Sequence, residues 1–198
     1  MRIGYGWDSH EFTGGVPLKI GGVAIAHPKG LAGHSDGDVL LHALTDALLG
    51  ALAAGDIGSY FPPSDPQWKG ADSALFVKTA MEQVRRAGYS VANVDSTLIL
   101  AAPKIGPHAA RIQARIAELV EVEPTAVGVK AKTPEGMGTD NAAIAHAVVL
   151  LVKRAGRRAR RIAVAEAVPQ PVVDSVVEEV LKDVPERPKN VPKARRKT

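Results

Sequence analysis

Residues 38–54 read DVLLHALTDALLGALAA, a stretch rich in leucine and alanine. Its leucines recur at helical spacing and cover most of the helix circumference, which predicts a largely buried helix. Ser35 or Asp36 can cap the start of this helix, and Gly55 can end it.

The segments on either side alternate between strand and helix patterns. Gly14, Gly15 and Pro17 predict a turn that joins two N-terminal strands into a hairpin. The predicted strands are 2–7, 18–26, 94–101 and 126–132, and the predicted helices are 38–54, 72–87, 107–120 and 142–153. This order predicts an α/β layered domain, a mixed four-stranded sheet with helices on one face plus a short N-terminal hairpin.

Composition narrows the class of protein. The 198 residues are 45% apolar, enough for one sizeable core. The chain has no cysteine, so a metal site must use His, Asp or Glu. No segment has the apolar length of a membrane span, and the N-terminus lacks signal or transit character. We therefore expect a cytoplasmic protein without membrane contact.

Basic charge is concentrated at the C-terminus. Of the 25 Lys and Arg, 13 lie after residue 152, together with only 6 of the 21 Asp and Glu. We expect the domain to span 1–155, and 156–198 to form a basic extension whose composition predicts disorder. Valines at helical spacing over 171–184 predict one amphipathic helix there as the alternative.

Three residues are candidate metal ligands. Asp8 and His10 lie two apart in a predicted strand end, so their side chains project to the same face. His42 lies in the buried helix between Asp38 and Asp46, each one turn away. Such carboxylates can orient a metal-bound imidazole through its second nitrogen, although a lone helical histidine is more often a core residue. Three N/O ligands with an open position are typical of catalytic zinc.

Other motifs have the chemistry of phosphate and polyol binding. His34 and Ser35 precede the helix start, where free amides favour phosphate. Asp56 and Gly58, followed by the proline-rich stretch 61–65, offer carboxylates and hydroxyls for a polyol. The segment 130–136 offers cations and a hydroxyl at a strand end, which is a second candidate phosphate site.

Five blocks of sequence resemble one known family. They are GYGWDSH (4–10), HSDGDVLLHALTDALLGALAAGDIGSYFP (34–62), DPQWKGADS (65–73), AAPKIGPH (101–108) and VKAKTPEGMG (129–138). Together they are similar to the 2-C-methyl-D-erythritol 2,4-cyclodiphosphate synthases over roughly residues 1–152. The resemblance implies a homotrimer with active sites between subunits.

The resemblance also implies a role for each matching residue. A divalent ion, typically zinc, is expected on Asp8, His10 and His42, and a second, Mg²⁺ or Mn²⁺, on the substrate diphosphate. His34 and Thr133 are expected to stabilise the transition state. The expected erythritol phosphate contacts are Ser35, Asp56, Gly58, Phe61, Pro62, Pro63, Ser64 and Asp65. The expected cytidine diphosphate contacts are Ala102, Pro103, Lys104, Ile105, Gly106, Ala131, Lys132 and Glu135.

The implied reaction is a lyase step of the non-mevalonate isoprenoid pathway. It converts 4-diphosphocytidyl-2-C-methyl-D-erythritol 2-phosphate into the cyclic diphosphate and CMP. Because the substrate's own 2-phosphate attacks its β-phosphorus, the protein needs no nucleophile, which agrees with the absence of cysteine.

Two other functions fit some of the same residues. A zinc hydrolase could use the three ligands to activate water against a phosphoester. A non-catalytic trimeric module could keep the metal for structure and bind nucleic acid or an acidic partner through its basic tail. His34, Asp56, Lys104, Thr133 and Glu135 argue against the second function, since a structural site does not need them.

The position of these residues generates a prediction about the tail. Every expected site residue lies before Asp140, so truncation after Gly156 should leave the cyclisation kinetics and the trimeric state essentially unchanged. Steady-state kinetics and light scattering on the truncated and full chains check this. A monomeric truncated protein, or one that loses most activity at unchanged metal content, would assign the tail to the working enzyme.

Overall fold

The structure is a computed structural model and describes residues 1–154. The predicted extension 156–198 and its predicted helix 171–184 lie outside the described residues. No helix in the described part is long and apolar enough to cross a membrane.

Seven strands and four helices, with three short 3₁₀ turns, make up the described chain. The strands are β1 (Arg2–Gly14), β2 (Leu18–Ile20), β3 (Val23–Ile25), β4 (Lys29–Leu31), β5 (Tyr89–Ile99), β6 (Val127–Lys132) and β7 (Ala142–Lys153). The helices are α1 (Val39–Ala51), α2 (Ile57–Tyr60), α3 (Ala74–Arg86) and α4 (Ala109–Val120).

The main sheet has five strands in the order β4-β1-β7-β5-β6. Only the β5–β6 pair is parallel, so the sheet is mixed, as the sequence predicts. The predicted number of four strands is wrong. Two differences from the predicted elements explain this, one at each end of the domain.

The first difference is the last element. Residues 142–153 form the central strand β7 and not the predicted helix. Their buried positions alternate, from Ala143 through Ala147 to Leu151, which is the period of a strand. Ile144, Val148 and Leu150 on the opposite side are also apolar, so the sequence shows no polar alternation and resembles a buried helix.

The second difference is the N-terminal hairpin. Strand β1 runs on to Gly14 and pairs with β7 and with the unpredicted strand β4. The predicted strand 18–26 is broken by Gly21 and Gly22, both with positive φ, into β2 and β3, which pair only with each other. A two-glycine turn between short strands is the usual hairpin signal.

Helix α1 lies against β1 and β7 at the centre of the core. All but two of its residues are buried, as predicted for 38–54. Asp38 is its N-cap and accepts from the Leu41 amide at 3.1 Å, in place of the predicted caps Ser35 and Asp36. The Asp38 carboxylate also accepts from the amides of Gly21 and Gly22 at 2.8 and 2.6 Å, which fastens the β2–β3 turn to the helix start.

Strand and helix approach most closely at two glycines. A Cβ on Gly4 would lie 1.8 Å from the Ala47 carbonyl oxygen, and one on Gly6 would lie 2.1 Å from the Ala43 carbonyl oxygen. Both obstacles are helix backbone, which cannot move aside as a flexible side chain can. Only glycine fits here, because any side chain would push α1 off the sheet.

This contact predicts a large difference between two glycine substitutions in one strand. Gly6→Ala should lower the free energy of unfolding by at least about 1–3 kcal/mol, the usual cost of overpacking a core. Gly14→Ala is the matched control, because a Cβ there meets nothing within 4 Å. Urea unfolding at a fixed protein concentration checks the pair. Equal midpoints for Gly6→Ala and the parent would contradict the contact.

Candidate metal centre and nucleotide site

The candidate metal ligands meet where β1 crosses α1. The even-numbered side of β1 faces the helix, so Asp8 and His10 project toward α1, and His42 projects back from it. The Asp8 Oδ2 atom lies 2.8 Å from His10 Nε2 and 2.9 Å from His42 Nδ1. The two ring nitrogens are 3.0 Å apart. The predicted cluster of Asp8, His10 and His42 is therefore present as one convergent set of donor atoms.

The donor atoms fit a divalent ion. Tetrahedral zinc with bonds of about 2.0–2.1 Å places its ligand atoms roughly 3.3 Å apart, so the three side chains need to open by only a few tenths of an ångström. One carboxylate oxygen and two imidazole nitrogens are the ligands of catalytic zinc sites, and one side of the cluster faces a cavity. The residues present therefore fit the ion.

The electrostatics of the cluster keep its carboxylate ionised. Burial alone raises the pKa of Asp8, but hydrogen bonds and charge interactions with His10 and His42 outweigh it and hold that pKa well below the usual range. An ionised Asp8 is available as a ligand at neutral pH without first losing a proton.

The predicted role of Asp38 and Asp46 differs from the structure. Asp38 is fully buried and its carboxylate is taken up by three backbone amides, as described above. Asp46 accepts from the Ile57 amide at 2.7 Å. Neither carboxylate hydrogen-bonds to the His42 ring; the one bond between these residues is from the His42 backbone amide to the Asp38 carbonyl oxygen. Instead, the hydroxyls of Ser35 and Ser73 lie 2.9 Å from His42 Nε2, the nitrogen that points away from the cluster.

Ser73 is a site residue that the sequence reasoning missed. It lies on another segment, 31 residues from His42, so no spacing rule connects the two. The only signal was its place at the end of the block 65–73, which matches the family named above.

A cavity of about 340 Å³ opens beside the cluster. The predicted residues that line it are Asp8, His10, His34, Ser35, His42, Gly58, Phe61 and Pro63, joined by the unpredicted Ile57, Trp68 and Phe76. The aromatic rings form an apolar wall, with the Phe61 and Phe76 centroids 4.3 Å apart and Trp68 edge-on to Phe61 at 5.0 Å. His34 is exposed at the rim, with Nε2 3.4 Å from the Asp65 carbonyl oxygen.

Four of the predicted erythritol phosphate contacts do not line this cavity: Asp56, Pro62, Ser64 and Asp65. Two of them have local roles. The Asp56 carboxylate caps α2 by accepting from the Ser59 amide at 2.8 Å, and hydrogen bonds to Ser59 lower its pKa. Asp65 caps the following 3₁₀ turn by accepting from the Gln67 amide at 3.0 Å.

A second cavity, of about 470 Å³, lies beyond the ends of β5 and β6. It brings together the predicted residues Pro103, Lys104, Ile105, Gly106, Ala131, Lys132, Thr133 and Glu135. Thr133 Oγ1 donates to the Glu135 carboxylate. The predicted Ala102 lines a smaller neighbouring cavity instead. Two lysines and a strand-end turn suit a phosphorylated ligand.

The two cavities have no lining residue in common. Each contains eight of the predicted site residues. The metal cluster and the two lysines therefore line separate cavities of the described chain.

Comparisons with known proteins identify the family of this chain. The sequence model of the YgbB family matches residues 1–152. A 2-C-methyl-D-erythritol 2,4-cyclodiphosphate synthase of Koribacter versatilis is 65% identical over 154 residues, which cover 78% of this chain and 99% of that protein. The chloroplastic synthase of Arabidopsis thaliana is 49% identical over 157 residues, 78% of this chain and 68% of that protein.

A solved structure gives the same result for the fold. A 2C-methyl-D-erythritol-2,4-cyclodiphosphate synthase in its CDP-bound form superposes with a TM-score of 0.72 at 42% identity, covering 76% of this chain and all of the other. The similarity in sequence and in fold covers the part of the chain that contains both cavities. The chain belongs to the YgbB family, whose curated relatives are 2-C-methyl-D-erythritol 2,4-cyclodiphosphate synthases.

Proposed function

We propose that this chain converts 4-diphosphocytidyl-2-C-methyl-D-erythritol 2-phosphate into 2-C-methyl-D-erythritol 2,4-cyclodiphosphate and CMP. The observation that carries the proposal is the convergence of Asp8, His10 and His42 beside a cavity that also contains His34, in a chain 65% identical to a synthase of that name. In the reaction, an oxygen of the 2-phosphate bonds to the β-phosphorus. The bond from the β-phosphorus to the bridging oxygen breaks, and that oxygen leaves with CMP.

The chain's own contribution is to bind and orient the substrate. The aromatic wall of Phe61, Trp68 and Phe76 excludes water on one side of the first cavity. Holding the two phosphates in attack geometry is worth up to about 7–11 kcal/mol when orientation is close to ideal. His34 at the rim of the first cavity would donate a hydrogen bond to phosphate oxygens that gain charge in the transition state. Thr133 in the second cavity would do the same once its hydroxyl releases the Glu135 carboxylate, to which it donates in this structure.

Divalent ions would supply the remaining charge neutralisation. Zn²⁺ held by Asp8, His10 and His42, with a second ion (Mg²⁺ or Mn²⁺) on the diphosphate, would screen the mutual repulsion of the phosphate oxygens. Lys104 and Lys132 in the second cavity would bind the cytidine diphosphate portion, and the bound form of a solved relative contains CDP.

The proposed assembly is a homotrimer with active sites between subunits. Two observations support it. The residues predicted to bind the two ends of the substrate line cavities that share no residue, which is the arrangement expected if each active site takes one cavity from each of two neighbouring copies. The sheet face opposite α1 also exposes apolar side chains, with Ile3 72%, Tyr5 and Trp7 56% and Val148 40% exposed among the described residues. An apolar patch of this kind typically marks a protein interface.

The proposed compartment is the cytoplasm. The Arabidopsis relative, by contrast, is chloroplastic.

An isotope experiment tests the reaction type. Turnover in H₂¹⁸O should release CMP and a cyclic diphosphate that both lack ¹⁸O, because the attacking oxygen belongs to the substrate. Mass spectrometry of both products measures this. One ¹⁸O atom in either product would show that water attacks, which is the hydrolase alternative, and absence of CMP release by the metal-loaded protein would contradict catalysis.

Two histidines of the first cavity should respond differently to substitution. His42→Ala removes one of three ligands and should abolish stoichiometric zinc and turnover while leaving a folded protein. His34→Ala should keep zinc and lose roughly 10²-fold or more in kcat, the usual effect of removing one donor to a developing charge. Elemental analysis and steady-state kinetics check both. Retained zinc in His42→Ala, or parental kcat in His34→Ala, would contradict the assigned role.

A further inference from the structure

Ser73 lies at the start of α3, but its hydroxyl does not cap the helix. A serine at this position usually accepts a hydrogen bond from an amide of the first turn. Ser73 makes no such bond, although it is the N-cap residue, and the Ala74 amide donates to Asp72 Oδ1 at 2.9 Å instead. Ser73 is also fully buried. Its hydroxyl is therefore directed elsewhere, away from water and from its own helix.

The hydroxyl lies between a metal-ligand histidine and a carboxylate. Ser73 Oγ is 2.9 Å from His42 Nε2 and donates to Asp36 Oδ1. An ionised carboxylate can only accept, so the single Ser73 hydrogen points to Asp36. In the 3.3 Å contact between Ser73 Oγ and Ser35 Oγ, the donor is therefore Ser35. Both serine oxygens, each 2.9 Å from His42 Nε2, are then left to accept from Nε2–H. These hydrogen-bond directions place the ring N–H hydrogen of His42 on Nε2, and the lone pair of Nδ1 then points toward Asp8 and His10.

Asp36 is itself fixed as a carboxylate. Lys19 Nζ lies 3.0 Å from Asp36 Oδ2, and the Asp36 side chain is only 11% exposed. Burial raises the pKa of Asp36, but hydrogen bonds from Ser73 and Lys19 lower it below its usual range. Lys19 and Asp36 line a cavity of about 520 Å³ that contains none of the three metal ligands. Substitutions at this end therefore leave the direct ligands untouched.

We infer that Ser73 is a positioning residue for the metal site, and that Asp36 and Lys19 act through it to hold His42 with Nδ1 toward the ion. This inference rests on the zinc site of the proposed function. Partners on the second nitrogen of a metal-bound histidine fix its tautomer and ring orientation, and their loss commonly costs about 10–100-fold in metal affinity or activity.

The test measures zinc affinity and not turnover. Ser73→Ala should raise the zinc Kd about tenfold or more, measured by competition with a chromogenic chelator. Ser96→Ala is the matched control, because Ser96 is also a buried serine but donates to the Gly128 carbonyl oxygen, at 2.8 Å. Ser96→Ala should keep the parental Kd even if it lowers stability. The visible spectrum of the cobalt-loaded protein should change in Ser73→Ala and not in Ser96→Ala.

A double-mutant cycle tests whether Asp36 acts through Ser73. Asp36→Asn replaces an obligate acceptor by a group that can also donate, so the direction of the Ser73 hydroxyl is no longer enforced. As a single substitution, Asp36→Asn should raise the zinc Kd. Combined with Ser73→Ala, it should cause no further rise in Kd. If Ser73→Ala does not fold, the single variant Asp36→Asn provides the test. A zinc Kd equal to that of the parent in Asp36→Asn would overturn the inference.

The other outcomes are equally decisive. A parental Kd in folded Ser73→Ala would overturn the positioning role while leaving the zinc site intact. Additive losses in the double variant would show that Asp36 acts by its charge and not through the hydroxyl. A parent protein that binds no zinc would overturn the metal site of the proposed function, and the inference with it.

Discussion

The close contact between β1 and α1 is the constraint on which the rest of the structure depends. At Gly4 and Gly6 the strand lies directly against helix carbonyl oxygens, with no side chain between them. A larger residue would increase the separation of sheet and helix, and His42 would move away from Asp8 and His10. The donor atoms now lie within 3.0 Å of one another, so a shift of even 1 Å would matter. The missing side chains of two glycines thereby set the geometry of the metal cluster.

Three carboxylates near this contact have different roles. Asp38 fastens the Gly21–Gly22 turn to the start of α1, and Asp36 anchors the hydroxyl that faces His42. Asp8 lies in the cluster itself. Asp8 and Asp36, whose pKa values are lowered, carry negative charge beside a site proposed to bind a cation and then an anionic substrate. Lys104 and Lys132 line the second cavity, so within one subunit the positive side chains lie in a different cavity from the acidic metal ligand.

Much of the fold and of the site could be predicted from local pattern. The helix 38–54 was predictable because its leucines are periodic, and the Asp8–His10 pair because a strand alternates its faces. Strand β7 was not, because both of its faces are apolar, and a period of two is visible only when one face is polar. The predicted hydrogen-bond partners of His42, Asp38 and Asp46, were wrong for a related reason. Residues one turn away on a helix share a face, but the Asp38 carboxylate accepts hydrogen bonds from backbone amides instead. The hydroxyls that reach His42 belong to Ser35, just before the helix, and to Ser73, on another segment.

The alternation of β1 has a consequence for how this protein can change over evolutionary time. Even positions from Gly4 to His10 carry the helix contact and the ligands, and odd positions from Ile3 to Trp7 carry the exposed apolar side chains. Insertion or deletion of a single residue within this stretch would exchange the two faces for everything beyond it. Glycines would then face outward, or a tryptophan would meet the helix backbone. Apolar residues can replace one another on the outer face of β1, but the length of the strand between Gly4 and His10 cannot change.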